Sequence, residues 1–301
     1  MRNVLLNRLR KEESEFLFMV GDVGYRVIED FQSEQPEKFL NTGVNEQLMA
    51  SFASGVAKSK PCFIYSIANF STLRCLEQIR NDICLHNAPV CIVSVGGGFG
   101  YGALGESHHN LEDVACLGSL PNISVLNPSS EEEVILSVDY FFKEKKPVYL
   151  RLSSLDKSCE TINTQTRNIY SNEFISNKDS DSLILASGAV LSRLKKSIMD
   201  LKLSKSLDLF SICNLSDETM KKIDIKKYKR IFSFDEMVYS GSIASLMHKY
   251  LHTNNINPHY ESYYIANYYN IPGGDSNYYR NFFGMSDEQI SLFLKKNFVN
   301  R

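Results

Sequence analysis

Short apolar runs alternate with helix-periodic segments along this chain of 301 residues, and that alternation restricts the fold more than any other feature. FLFMVGD (16–22), PCFIY (61–65), PVCIVSV (89–95) and PVYLRL (147–152) are of strand length and almost continuously apolar. Runs of that kind belong to parallel sheets covered by helices on both faces. Between them, residues 1–14 read as a charged amphipathic helix, a short helix spans about 27–31, FLNTG is strand-like, and Leu73, Leu76, Ile79 and Ile83 mark one helical stripe. After a polar stretch the alternation resumes: SLILASG, a helix through Met199, LDLFSIC, a lysine-rich helix, RIFSFDE, a helix from about Ser242 and a final amphipathic helix. The expectation is an α/β protein of two doubly wound domains, 1–155 and 182–301, joined by a linker over 156–181 with room for one strand.

Charge and composition exclude several classes of function. Thirty-three basic residues against 35 acidic ones leave a formal charge of -2, no electrostatic footprint for nucleic acid or an anionic membrane. No signal-peptide core opens the chain, and no run reaches the roughly 18 apolar residues of a membrane span, so a cytoplasmic protein is expected. The seven cysteines, Cys62, Cys75, Cys84, Cys91, Cys116, Cys159 and Cys213, include no C-x-x-C pair, and reduced, mostly buried thiols are expected. The lysine run KKIDIKKYKR reads as a solvated helix face, and the tyrosine-rich YESYYIANYYNIPGG as packing against a partner subunit.

A few residues stand where chemistry could be done. In NTGVNEQLMASFASGVA, Glu46 opens a helix whose Ala50, Ala53, Ser54 and Ala57 form one small, close-packing face. It is either an ordinary first-turn charge on the helix dipole or a functional acid. Asp22, at a strand end after Gly21, is a turn former or a ligand of the crevice beyond the strand termini. Phe70, just ahead of the next helix, is a core aromatic or a ligand contact. The glycine-rich segment holds a literal G-x-G-x-x-G at Gly100, Gly102 and Gly105, but the next strand, ISVLNP, ends without the acid a dinucleotide site requires. It reads instead as a long substrate or cofactor lip, carrying Tyr101, ahead of a helix starting near Ser107 with Leu111, Val114, Ala115 and Gly118 inward. His108 and His109 point in different directions, a poor metal pair, so no metal is assigned. His108 is an acid–base candidate or a helix-capping histidine, and Arg151 meets an anionic substrate or pairs with a carboxylate.

In order and spacing, NTGVNEQLMASFASGVA, YSIANFSTLRCLEQIRND, GYGALGESHHNLEDVACLGSLPNISVLNPSSEEEV and PVYLRLS resemble the pyrimidine-binding domain of the transketolase family. LILASGAVLS, RIFSFDEMVYSGSIASLM and GGDSNYYRNFFG are similar to that family's C-terminal domain. The resemblance implies Glu46 as the acid bonded to ring nitrogen N1′ of the aminopyrimidine of thiamine diphosphate, with Phe70 packed on that ring and Asp22 an interface acid near the cofactor. It implies His108 as a proton shuttle near the reacting hydroxyls, Arg151 as a sugar-phosphate ligand and Tyr101 as a substrate contact. The activity implied is transfer of a two-carbon ketol unit from a ketose, expected as its phosphate, to an aldose. The family's diphosphate-holding motif has no counterpart here, since Gly21 and Asp22 are followed by Val23. The likeness is therefore to the small subunit of a split transketolase. Its N-terminal partner would hold the diphosphate and its Mg2+ or Ca2+, in an expected α2β2 heterotetramer. Gly96 stands where the family has a substrate-binding histidine, and the pyrimidine pocket is aliphatic or polar around Leu73 and Leu76, so the sugar is expected to differ from the usual pentose and hexose phosphates. The competing expectations are a subunit like deoxyxylulose-phosphate synthase or like the β chain of a 2-oxo acid dehydrogenase, and a non-catalytic stabilising subunit.

Overall fold

In a computed structural model, the structure describes residues 1–153, 167–266 and 271–299. Six parallel strands, β1 (Leu17–Val20), β2 (Phe39–Asn41), β3 (Cys62–Ile67), β4 (Val90–Val95), β5 (Ser124–Leu126) and β6 (Val148–Leu152), form one sheet in the order β2-β1-β3-β4-β6-β5. The winding reverses between β1 and β3, which opens a crevice at their carboxyl ends. Successive side chains alternate between two cores: Cys62 and Ile64 of β3 face one, Phe63 and Tyr65 the other. Leu5, Leu6 and Leu9 of the helix Arg2–Arg10 and Val134, Val138 and Phe141 of the helix Glu131–Glu144 seal the second core.

A second sheet of five strands follows: β7 (Ser171–Ile175), β8 (Ser182–Ala186), β9 (Asp208–Ile212), β10 (Arg230–Val238) and β11 (His259–Ile265), in the order β11-β10-β8-β9-β7. All its pairings are parallel except that of β7 with β9. Leu183 and Leu185 of β8 share a core with Ile64 and Ile92 of the first sheet, so one apolar layer joins the two sheets. Ile184 and Ala186 face the helices Ala189–Asp200 and Asp287–Leu294 on the far side. Two doubly wound α/β domains are what the alternation predicted. Among the described residues, no helix is long and apolar enough to cross a membrane.

Several local expectations are corrected. The N-terminal helix spans only Arg2–Arg10. The stripe from Leu73 to Ile83 is a broken series of short turns ending in a π-helical segment, Ile79–Cys84, because the Ser71 and Thr72 hydroxyls bond back to the carbonyls of Ile67 and Ala68 and bend the chain. The helix expected near Ser107 begins at Asp113: Glu106–His108 forms only a single 3-10 turn, after which Asn110 exchanges backbone hydrogen bonds with Gly98; Leu111 and Val114 are buried but Gly118 is exposed. The lysine-rich helix ends at Lys222, where Ile223 turns to extended backbone and is buried together with Ile225. Strand β7, by contrast, is the one strand for which the linker stretch had room. Residues 154–166, with Cys159, and 267–270 of the tyrosine-rich segment lie outside the described residues. Cys62, Cys75, Cys84, Cys91 and Cys213 are buried free thiols and Cys116 is half-buried. Burial pushes the thiols of Cys62, Cys75 and Cys84 up to about 12, which keeps them unreactive.

Candidate functional site

Past the end of β2 the chain turns through Gly43 at φ +70°, and Asn45 caps the helix Glu46–Val56 by accepting the Leu48 N–H at 3.3 Å. This geometry tucks Glu46 inward, 3% exposed, against Gly21 at the end of β1. Its Oε2 accepts a hydrogen bond from Arg74 Nη1 at 3.1 Å. Its Oε1 is buried and has no hydrogen-bond partner among the described residues. A buried carboxylate oxygen left without a donor is costly and therefore marks a place where a donor group belongs. The opposite face of the same helix is unexpectedly apolar and open: Leu48 and Phe52 are 55% and 45% exposed, and Val44 just ahead of it 73%.

Asp22 occupies the same edge, exposed and at φ 55°. Its Oδ1 accepts from Asn41 Nδ2 at 3.1 Å and its N–H donates to Asn41 Oδ1 at 3.2 Å, so turn and strand end are clamped together. Oδ1 of Asp22 thus serves the turn.

Phe70, in the single turn Ala68–Ser71 after β3, is half-buried. The Arg74 guanidinium lies 4.5 Å from its ring centroid, and the His108 ring meets it edge-on at 5.2 Å. Asn69 reaches across to the carbonyls of Ser107 and His109, bracketing His108 and fixing it beside Phe70. His108 caps no helix; it ends a short turn, with Nδ1 3.0 Å from the Ser107 hydroxyl. Tyr101 follows, 6.4 Å from His108 between ring centroids, its phenol raised by burial. The structure thus brings Glu46, Phe70, His108 and Tyr101 into one row along the carboxyl edge of the sheet. Arg74, which sequence reasoning missed, joins the first two.

The second domain grips the glycine-rich lip. Phe99 stacks on Tyr279 at 5.2 Å and its carbonyl accepts from the Ser276 hydroxyl at 2.6 Å. Gly98 and Gly102 pass so close to Glu236 and Ser276 that a Cβ at either would overlap them. Gly98 and Gly102 therefore serve close packing between domains. His109 belongs to this seam: it is buried against Phe99 and Tyr279, its Nε2 is 3.2 Å from the Gly102 carbonyl, and burial lowers its pKa.

Arg151 does not reach the row. It is 2% exposed, and Nε donates to Asp113 Oδ2 at 2.8 Å while Nη2 donates to the carbonyls of Asn110 at 2.6 Å and Glu236 at 3.1 Å. Of the two expectations for Arg151, the structure has the carboxylate pair: the carboxylate of Asp113 and two backbone carbonyls converge on it at the domain junction, in place of the sugar-phosphate contact that the resemblance implied. Tyr149 and Asn110 bond the same Asp113 oxygen. Beyond Arg151 lies Glu236: burial works against its charge, but Arg193 and Arg280 outweigh that and hold its pKa low.

The sequence model for the transketolase pyrimidine-binding domain matches residues 3–156. The chain is 26% identical over 248 residues to one subunit of the apulose-4-phosphate transketolase of Phocaeicola vulgatus, covering 75% of this chain and 77% of that protein. It is 23% identical over 276 residues to 1-deoxy-D-xylulose-5-phosphate synthase of Chlamydia muridarum, covering 90% of this chain but only 43% of that longer protein. A solved structure described as a split-gene transketolase, an inactive β4 tetramer, superposes with a TM-score of 0.81 at 21% identity, over 98% of this chain and 97% of the other.

Proposed function

The chain belongs to the transketolase family, whose enzymes use thiamine diphosphate, and we propose that it is the small subunit of a two-chain transketolase transferring a two-carbon ketol unit from a ketose, as its phosphate, to an aldose. The observation that carries this reading is the buried Oε1 of Glu46, without a hydrogen-bond partner among the described residues, with Phe70 joined to the same carboxylate through Arg74. An acceptor and a ring face are what an aminopyrimidine requires, so these residues fit the cofactor. Thiamine diphosphate, when bound, supplies the carbon nucleophile that breaks and remakes the bond beside a ketose carbonyl. Glu46 would hold the proton at N1′ through Oε1, and Phe70 would orient the pyrimidine and exclude water. His108, half-exposed next to Phe70, would move protons to and from the sugar hydroxyls. Tyr101 would bound the far end of the sugar, and Asp22 would approach the cofactor from the β1 edge.

The diphosphate and its Mg2+ or Ca2+ would be held by a partner chain, in an α2β2 heterotetramer of the cytoplasm. Open apolar side chains on the Glu46 helix itself, and the naming of the Phocaeicola relative as a subunit, support a partner there. The chain would bind neither nucleic acid nor membrane.

Glu46→Ala, assayed in complex with the co-purified large subunit, should abolish turnover and leave assembly intact; wild-type turnover in that variant rules the mechanism out. The likeness to deoxyxylulose-phosphate synthase supports a second reading, in which pyruvate is consumed and carbon dioxide released. Pyruvate-dependent gas release without ketol transfer would select it.

A further inference from the structure

We infer that Arg74 is a positioning residue: it holds Glu46 by Oε2 and covers the ring of Phe70, leaving Oε1 as the single acceptor turned toward the aminopyrimidine. The inference rests on the reading of Glu46 as the cofactor's acid. A carboxylate free to rotate offers two equivalent oxygens in a range of directions. The 3.1 Å bond from Arg74 Nη1 engages one of them and so fixes the direction of the other. The same guanidinium lies 4.5 Å from the Phe70 centroid, so one planar group sets both the acid and the aromatic wall. Only arginine does both at once, since lysine has neither the plane nor the fork of N–H groups.

Arg74 is held in turn by the helix it steadies. Gln47, next to Glu46, donates to the Arg74 carbonyl at 3.1 Å, tying the turn Leu73–Cys75 to the helix start. The exposure of the two partners is lopsided: 47% of the Arg74 side chain is open to solvent against 2% of that of Glu46. An ion pair with one partner so open adds little stability. What it does add is direction, and a lid between the acid and bulk water.

The test uses the full chain in complex with its co-purified partner, with thiamine diphosphate binding followed by calorimetry alongside steady-state turnover. Arg74→Ala should weaken cofactor binding about 10- to 100-fold, the scale seen when the outer partner of a metal ligand is lost, with thermal unfolding unchanged. Guanidinium ion at low millimolar concentration should restore binding in Arg74→Ala, and it should do nothing for Glu46→Ala. Arg74→Lys should stay close to Arg74→Ala. Affinity at or above the wild-type value in either Arg74 variant, or no restoration by guanidinium, overturns the inference. Wild-type binding and turnover in Glu46→Ala would instead remove the reading on which it stands, whatever the Arg74 variants do.

Discussion

The ring of Tyr101 lies so close over Gly96 that a Cβ at residue 96 would overlap its Cδ2 and Cε2 atoms. Gly96 also has φ +93°, a conformation that L side chains rarely adopt. Gly96→Ala should therefore both strain the backbone and push the ring aside, destabilising the chain by about 1–3 kcal/mol in urea unfolding. Because Tyr101 neighbours His108 and not Glu46, the variant should raise KM for the sugar while leaving thiamine diphosphate affinity unchanged. A loss of cofactor affinity instead would place Tyr101 at the wrong end of the row.

Arg151→Met should act on stability. It leaves the buried Asp113 carboxylate without its cation, and breaking such a pair costs about 3–5 kcal/mol. The expected result is a lowered urea midpoint, with sugar KM unchanged at temperatures where the variant stays folded. A selective rise in KM for phosphorylated sugars at full stability would return Arg151 to substrate binding.

Asp235 makes the fold sensitive to mild acid in an unusual sense. Burial raises its pKa from 3.8 to about 6, against the bonds it accepts from the Ser187 hydroxyl and the Ile243 N–H. The folded state thus keeps a proton that the unfolded chain gives up, and this contribution favours folding below about pH 4 and is lost as pH rises through about 6. Relative to Asp235→Asn, the wild type should lose roughly 3 kcal/mol between pH 4 and pH 7. A stability difference that is flat across that range would mean that Asp235 titrates normally.

Phe52→Glu should leave the fold intact and weaken association with the partner chain at least about tenfold, because Phe52 is an open apolar residue on the helix that carries Glu46. Analytical ultracentrifugation of the complex measures it. Unchanged association would assign that face another role.

The architecture was legible because strands buried on both faces leave continuous apolar runs, as β3 and β4 do. Glu46, Phe70 and His108 were legible as a set through their order along the chain, and the structure brings them to one edge. Arg151 stayed open, since a strand-end arginine looks the same whether its anionic partner is a ligand or Asp113, 38 residues away. Arg74 was missed for the converse reason: its two contacts arise from a bent, irregular stretch whose form depends on the back-bonding of Ser71 and Thr72. Gly98 and Gly102 read as part of a lip free to approach a ligand, because nothing in the glycine spacing encodes the second domain against which these two pack.

That packing makes the second domain a backing plate for the site. The row itself is built from first-domain side chains, yet Phe99, Gly102 and His109 are pressed on Tyr279 and Ser276, and the segment they anchor carries Tyr101 and His108. Glu46, Arg74 and Phe70 are aligned within the first domain alone. The row is thus supported in two places: whatever loosens the junction displaces Tyr101, while Glu46, Arg74 and Phe70 keep their alignment and Asn69 still ties the His108 segment to the Phe70 turn.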